Sequence, residues 1–358
     1  MTYFAWDSIT EASHFHGASA TVLVMYKTIT YINSCVTIVS PFSVWLRRKA
    51  LADCLQQMTT LEHVFHHSVG VKRNFKSMYI RLASVVFLIV SVTGCVTIYD
   101  FTQVPKESVS LMNIFSVTIL IHYPLIVTLL LDLNFCVRAG YLRRKFRDLN
   151  RILPRLAENL FTSCSNKKRK IKGAKMVHKI DRAETAHSTR DVSDLLSEIR
   201  KAYSELCKLT RTVNYAFGIQ NLLSMGISFV VVTGMLYTIC RALSLGGLTY
   251  ATVRNIISAT LWSGIYILKI LVISHICWRT GNEARRTGKL IYDLLESRVD
   301  KNLQNEIEAF SVQIIQHPIE FNAHGFFTLD FTLVQSMIAS VTTYLVILLQ
   351  LSPSNGQT

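Results

Sequence analysis

Charge is scarce in this chain, at 17% of its 358 residues against about 25% in an average soluble domain. The shortage is uneven, because some stretches carry almost no charge and others are crowded with it. That pattern excludes a single soluble globule and fits a chain that meets lipid in some places and water in others. Paired cysteines are also missing. Cys35, Cys54, Cys95, Cys136, Cys164, Cys207, Cys240 and Cys277 are widely spaced and form no CxxC. This argues against a disulfide framework and a zinc module and leaves them as small apolar packing residues. The first twenty residues hold Asp7 and Glu11 but no Lys or Arg, so a cleavable signal peptide is not evident. No paired carboxylates, nucleophile elbow or metal cluster occurs, which argues against an enzyme and implies no cofactor. No internal repeat is visible, which weakens an inverted-repeat transporter.

What is present is apolar. Half of the residues are hydrophobic, and the mean hydropathy is +0.31. A membrane-spanning helix needs about 20 mostly apolar residues. Six runs qualify: Thr21 to Leu46, Ile80 to Tyr99, Ile114 to Val137, Phe217 to Cys240, Ile256 to Trp278 and Thr328 to Leu351. The first would act as its own insertion signal. Residues 1 to 20 are too short and polar to hold another span. The expected fold class is therefore all-α: a polytopic transmembrane bundle with six spans.

The net charge of +15 lies mostly between these runs. It reads as the Lys and Arg excess of cytoplasmic loops beside anionic lipid, not as a nucleic-acid surface. Every second loop is basic. Residues 47–79 hold six Lys and Arg, residues 138–216 hold twenty against eight acidic residues, and residues 279–327 hold another six. The loops at 100–113 and 241–255 hold one and two. Basic loops in the cytoplasm place both termini outside the cell.

Two cytoplasmic segments carry an apolar helical face. One runs through Leu195, Leu196, Ile199, Tyr203, Leu206 and Leu209 into the fourth span. The other passes from Leu290 through Leu294, Leu303, Ile307 and Phe310 to Ile314 as one continuing helix. Residues 163–189 are basic, polar and expected to be disordered.

The last run ends Thr343-Tyr344-Leu345-Val346-Ile347-Leu348-Leu349-Gln350-Leu351. Tyr344 and Gln350 lie roughly 600° apart around a helix, so they cannot bond each other. A Gln at membrane depth without a partner in its own helix should face other helices or a wet pore. This segment resembles the insect gustatory receptor signature, Thr-Tyr, five apolar residues, Gln and Phe. Thr343, Tyr344 and Gln350 match, and Leu351 stands where the family usually has Phe. The approach to the last helix, Phe321-Asn322-Ala323-His324-Gly325-Phe326-Phe327-Thr328-Leu329-Asp330, and the stretch from Leu206 through Val213-Asn214-Tyr215-Ala216-Phe217 are similar too. So is the order of loops. The resemblance covers about Arg47 to Leu351.

The resemblance implies a ligand-gated, non-selective cation channel opened by a small-molecule tastant, built as a homo- or heterotetramer in the plasma membrane. It implies seven spans, an extracellular C-terminus, an outward-facing ligand pocket and a central pore lined by the last helices. Thr21 to Leu46 aligns with the family's second helix, which leaves the first without a counterpart. Residues 1–278 would form the ligand-sensing bundle, with a cytosolic insert at about 138–216. Residues 279–358 would form the cytosolic anchor helix and the pore helix. Gln350 and Leu351 would face the extracellular constriction, where an apolar ring can close a pore by dewetting.

Ligand-pocket candidates are the polar aromatic residues in the outer halves of spans: Tyr99, His122, Tyr123, Tyr237, Trp262 and Tyr266. For any one of them, an interfacial belt or helix packing is the commoner reading. Lys269, deep in the fifth span, is either a ligand counter-ion or a side chain that snorkels to the inner interface. Asp132 and Lys27 lie near helix ends, where snorkelling or capping suffices. Glu62, His63, His66 and His67 are dense enough to suggest a metal, but they lack a third ligand at suitable spacing and read as a helix surface. A non-conducting accessory subunit stays open. A G-protein-coupled receptor is less favoured, because Asp-Arg-Tyr and Asn-Pro-x-x-Tyr are absent. Sugars, bitter compounds and other small ligands all stay open.

Overall fold

The computed structural model describes residues 20–69, 75–102, 111–171, 180–244, 249–295 and 301–351. Among them are eight α-helices: α1 (Ala20–Leu46), α2 (Arg48–Val69), α3 (Phe75–Thr102), α4 (Leu111–Ile171), α5 (Ile180–Ser244), α6 (Tyr250–Leu295), α7 (Lys301–Gln316) and α8 (Phe331–Leu351). The only β-type pairing among the described residues is one antiparallel bridge, Asn322 with Thr328. This is the all-α bundle expected from the apolar runs.

Five helices are long and apolar enough to cross a membrane, over Lys27–Leu46, Tyr123–Leu156, Ser193–Ser244, Thr252–Leu294 and Phe331–Leu351. The sixth expected span, in α3, has a shorter apolar stretch, Ala83–Val96. Helices α4, α5 and α6 run far past their apolar runs, so spans and loop helices are continuous rods. Thr249 stands just before α6, and its hydroxyl accepts a hydrogen bond from the Thr252 amide at 3.3 Å, the usual way of satisfying a first-turn donor.

Two expectations need correction. Residues 163–171 and 180–189 are helical ends of α4 and α5, so the insert between them is not one disordered loop. The apolar face from Leu290 to Ile314 is divided between two helices, α6 and α7. The periodicity survived the division because both helices bury it: Ile291, Leu294, Leu303, Ile307 and Phe310 all sit in one core.

That core is the larger of two apolar clusters. It joins α2, the extensions of α4, α5 and α6, α7, and the segment leading to α8. Phe146, Tyr203 and Phe310 meet edge to face in it, with centroids 5.7 and 5.4 Å apart. The smaller cluster joins α1, α3, α4, α5 and α6 through Ile29, Val96, Leu125, Val231, Trp262 and Tyr266.

The helix directions follow from paired contacts. The Thr280 hydroxyl donates to the Ala139 carbonyl at 3.1 Å, and Asn150 donates to the Glu283 carbonyl at 2.8 Å. Residue numbers rise together along the seam, so α4 and α6 run parallel. The α8 segment likewise runs alongside α5. Asn214 donates to the Glu320 carbonyl at 2.7 Å, and Phe229 meets Tyr344 at 5.8 Å.

Candidate functional site

Asp132 and Lys269 fill a narrow polar layer between the two clusters. Above and below Asp132 on α4 stand Leu129 of the smaller cluster and Phe135 of the larger. Tyr266 and Ile270 flank Lys269 on α6 in the same way. The ammonium lies 3.3 Å from the Asp132 carboxylate, with side chains 2% and 4% exposed. Lys269 also donates to the Ser224 hydroxyl at 2.9 Å, and that hydroxyl donates to Asp132 at 2.7 Å. The Gln220 amide reaches the second carboxylate oxygen at 3.5 Å. Three helices are thus tied at one point.

This overturns the snorkelling and capping reading of Asp132 and answers the question about Lys269. Neither side chain reaches an interface. Burying one charge at this depth is very costly, and each is held by the opposite charge of the other. Spacing along one helix could not reveal the pairing, because the partners are 137 positions apart. The signal was that two spans each carried one deep charge of opposite sign.

The pocket candidates divide by position. Tyr237, Trp262 and Tyr266 are buried, and the last two belong to the smaller cluster. The Tyr266 ring lies 5.3 Å from the Lys269 ammonium. Trp262 and Tyr266, one turn apart, share a buried face of α6 above the ion pair, and Tyr237 is buried on α5. Tyr123 points outward, 58% exposed, and Tyr99 is half-buried. His122 lies on α4, but its side chain is outside the described residues. Sequence reasoning missed Asn221. It is fully buried on α5, and neither its amide nitrogen nor its oxygen has a hydrogen-bond partner among the described residues. No group of three metal-ligating side chains occurs among the described residues. His66 and His67 have side chains outside them.

The last helix is positioned at one end. The segment before it carries the Asn322–Thr328 bridge, and His324 and Gly325 have positive φ values of 53° and 85°. Asp330 caps the helix, accepting from the Thr332 amide at 2.9 Å. Phe331 packs on Trp278 with centroids 5.4 Å apart. Beyond this anchorage α8 leaves its own bundle: only 6% of its apolar window is buried. Tyr344 rests on Phe229, whereas Gln350 and Leu351 are exposed, Leu351 at 76%. Thr343 donates to the Ala339 carbonyl of its own helix at 3.0 Å.

A family model described as the 7tm chemosensory receptor matches residues 1–355. The chain belongs to this chemosensory receptor family. Among its relatives is a Drosophila melanogaster protein named putative gustatory receptor 28b, 25% identical over 92% of this chain and 72% of that protein. Gustatory receptor 68a of the same species is 30% identical over 43% of this chain and 40% of its own length. The fold is similar to that of the insect olfactory receptor OR5 from Machilis hrabei in complex with eugenol. The TM-score is 0.63 and the identity 13%, over 98% of this chain and 87% of that one. As a chemosensory receptor the chain is a multi-pass membrane protein and not an enzyme.

Outside the spanning helices, α2 carries the one buried thiol of that helix. Burial pushes Cys54 up from its ordinary range, and the nearby Arg138 guanidinium only partly offsets this. Tyr141 of α4 donates to Glu62 of α2 at 3.0 Å, and Lys145 pairs with the same carboxylate at 3.0 Å. Glu62 is therefore not part of a free helix surface but ties α2 to α4.

Proposed function

We propose that this chemosensory receptor is a subunit of a ligand-gated, non-selective cation channel opened by a small-molecule tastant. The observation that carries the reading is the last helix. Its apolar window is almost wholly unburied within the chain, and it ends in the family's Thr343, Tyr344 and Gln350. An apolar helix so exposed needs either lipid or other subunits. Four copies around an axis would set Gln350 and Leu351 at a ring. There an apolar collar closes the path by dewetting, and amide groups meet passing ions. The tetramer, homomeric or heteromeric, belongs to this proposal, as does the extracellular C-terminus.

In this reading residues 1–278 hold the ligand and residues 279–358 provide anchor and pore. The ligand would sit among Tyr237, Trp262 and Tyr266, at the edge of the smaller cluster above the ion pair. Such a site combines aromatic faces with few polar groups, as small-molecule sites do. The resemblance to a receptor solved with eugenol supports a compact organic ligand.

Expression in cells with a panel of sugars and bitter compounds tests the proposal. Ligand-evoked, calcium-permeable currents are expected, and Gln350→Ala should alter conduction or gating. A well-formed tetramer with no pore along α8 would sink it. Leu351 in place of Phe favours a second reading, an accessory subunit that conducts only with a relative. Co-expression that restores currents absent from the chain alone would identify that case.

A further inference from the structure

On α6, Leu268, Val272, His275 and Arg279 are all exposed. At about 100° per residue they fall within about 60° of one another on the helix. They form one stripe that begins apolar, passes an aromatic level and ends in an arginine. His275, Trp278 and Phe331 pack together at that level, with centroids 5.4 to 6.4 Å apart. Aromatic residues gather at the depth where acyl chains give way to headgroups. Arg279 thus emerges on the lipid-facing side at headgroup depth, not on a water-facing side below it.

The parallel seam brings α4 arginines to the same place. Thr280 bonds the carbonyl of Ala139, one turn before Arg143. Arg143 lies within electrostatic range of Arg279, Arg144 and Arg147, with Glu283 as the one acidic neighbour among its influences. Glu283 is already engaged by Arg147 at 3.3 Å and by Asn150. The Nε of Arg143 is buried without a hydrogen-bond acceptor among the described residues. No ion pair of Arg143 or Arg279 occurs among the described residues. Like charges crowded at one seam with their acid committed elsewhere are stabilised by an external anion. Guanidinium forks match the oxygens of a phosphate.

We propose that Arg143 and Arg279, at the α4–α6 seam, bind the phosphomonoester headgroup of an anionic lipid in the cytoplasmic leaflet. Basic pockets between membrane helices recognise phosphorylated headgroups in this way. The site rests on the membrane orientation given under the proposed function. A bound headgroup would clamp α6 to α4 about three turns, or about 15 Å, below the level of the ion pair.

The experiment uses the full chain in nanodiscs of phosphatidylcholine with or without phosphatidic acid, read by thermal unfolding. Phosphatidic acid is expected to raise the midpoint. Arg143→Gln with Arg279→Gln should abolish the shift, whereas Lys201→Gln with Lys289→Gln should keep it. Those two lysines are exposed on α5 and α6, further from the apolar runs, and remove the same charge. Equal loss in both double variants would overturn the site in favour of diffuse basic attraction. A full shift in the glutamine pair would overturn it as well. The same shift from inorganic phosphate in phosphatidylcholine discs would overturn the lipid assignment. Should the glutamine pair fail to fold, Arg143→Lys with Arg279→Lys keeps the charge and loses the fork. A reduced shift is then expected, and an undiminished one overturns the proposal. An antibody epitope placed within residues 163–189 reports orientation separately. Access in intact cells would refute the topology, whereas access only after permeabilisation with no lipid effect would refute this site alone.

Discussion

Asp132 and Lys269 neutralise each other 3.3 Å apart in the interior of the membrane bundle, with Ser224 bonded to both. Removing either partner strands a charge between two apolar clusters. Breaking a buried pair in this way costs about 3 to 5 kcal/mol. Asp132→Leu and Lys269→Met alone should each sharply lower the unfolding temperature of the purified receptor. The double variant should recover most of the loss, because neither charge is then left alone. Additive losses would show that the two residues act independently.

Asp330 should behave as a helix cap for α8. Asp330→Ala is expected to cost about 1 kcal/mol, whereas Asp330→Asn should cost far less, since Asn also accepts from the first-turn amide of Thr332. Thermal unfolding of the three proteins side by side checks the order.

Gly218 lies where α5 meets the segment leading to α8. A methyl group there would stand 3.1 Å from the backbone nitrogen of His324. Backbone cannot yield as a flexible side chain does, so Gly218→Ala should shift that segment and weaken the coupling of α8 to the bundle. The expected result is a lower unfolding temperature together with a changed ligand-response curve. Wild-type values for both would show that the segment adapts freely.

Cys54 should resist alkylation. Its thiol is buried on α2, and burial raises its pKa, so little thiolate exists at neutral pH. Mass spectrometry after brief maleimide treatment of the folded receptor should find Cys54 unmodified, and after unfolding it should find it modified. Rapid labelling in the folded state would contradict the packing of α2 against α4.

Much of the architecture was legible because lipid imposes a simple rule. A helix at membrane depth must be apolar over about 20 residues, and that length can be read directly from the chain. The apolar face of residues 195–209 was legible for the same reason, through its spacing. What escaped was anything joining distant positions. The break between α6 and α7 falls within one unbroken periodicity, which does not record where a helix turns back. Glu62 reads as surface until Tyr141 and Lys145 are beside it. Asn221 looks like any polar residue near a span end, and only packing shows it enclosed on all sides. At the candidate gate, Gln350 and Leu351 were legible through the motif, whereas the weak hold of α8 on its own bundle was not.

That weak hold makes α8 a lever. It is fixed near Leu333 by buried packing and only lightly held from there to Leu351, 18 residues on, through Met337, Val341 and the contact of Tyr344 with Phe229. At 1.5 Å per residue that arm is about 27 Å long. A tilt of about 5° at the base would carry the tip through about 2 Å, comparable to the radius of a side-chain methyl group. Small motions near Trp278 and Phe331 would thus be magnified at the far end, without any change in the helix itself.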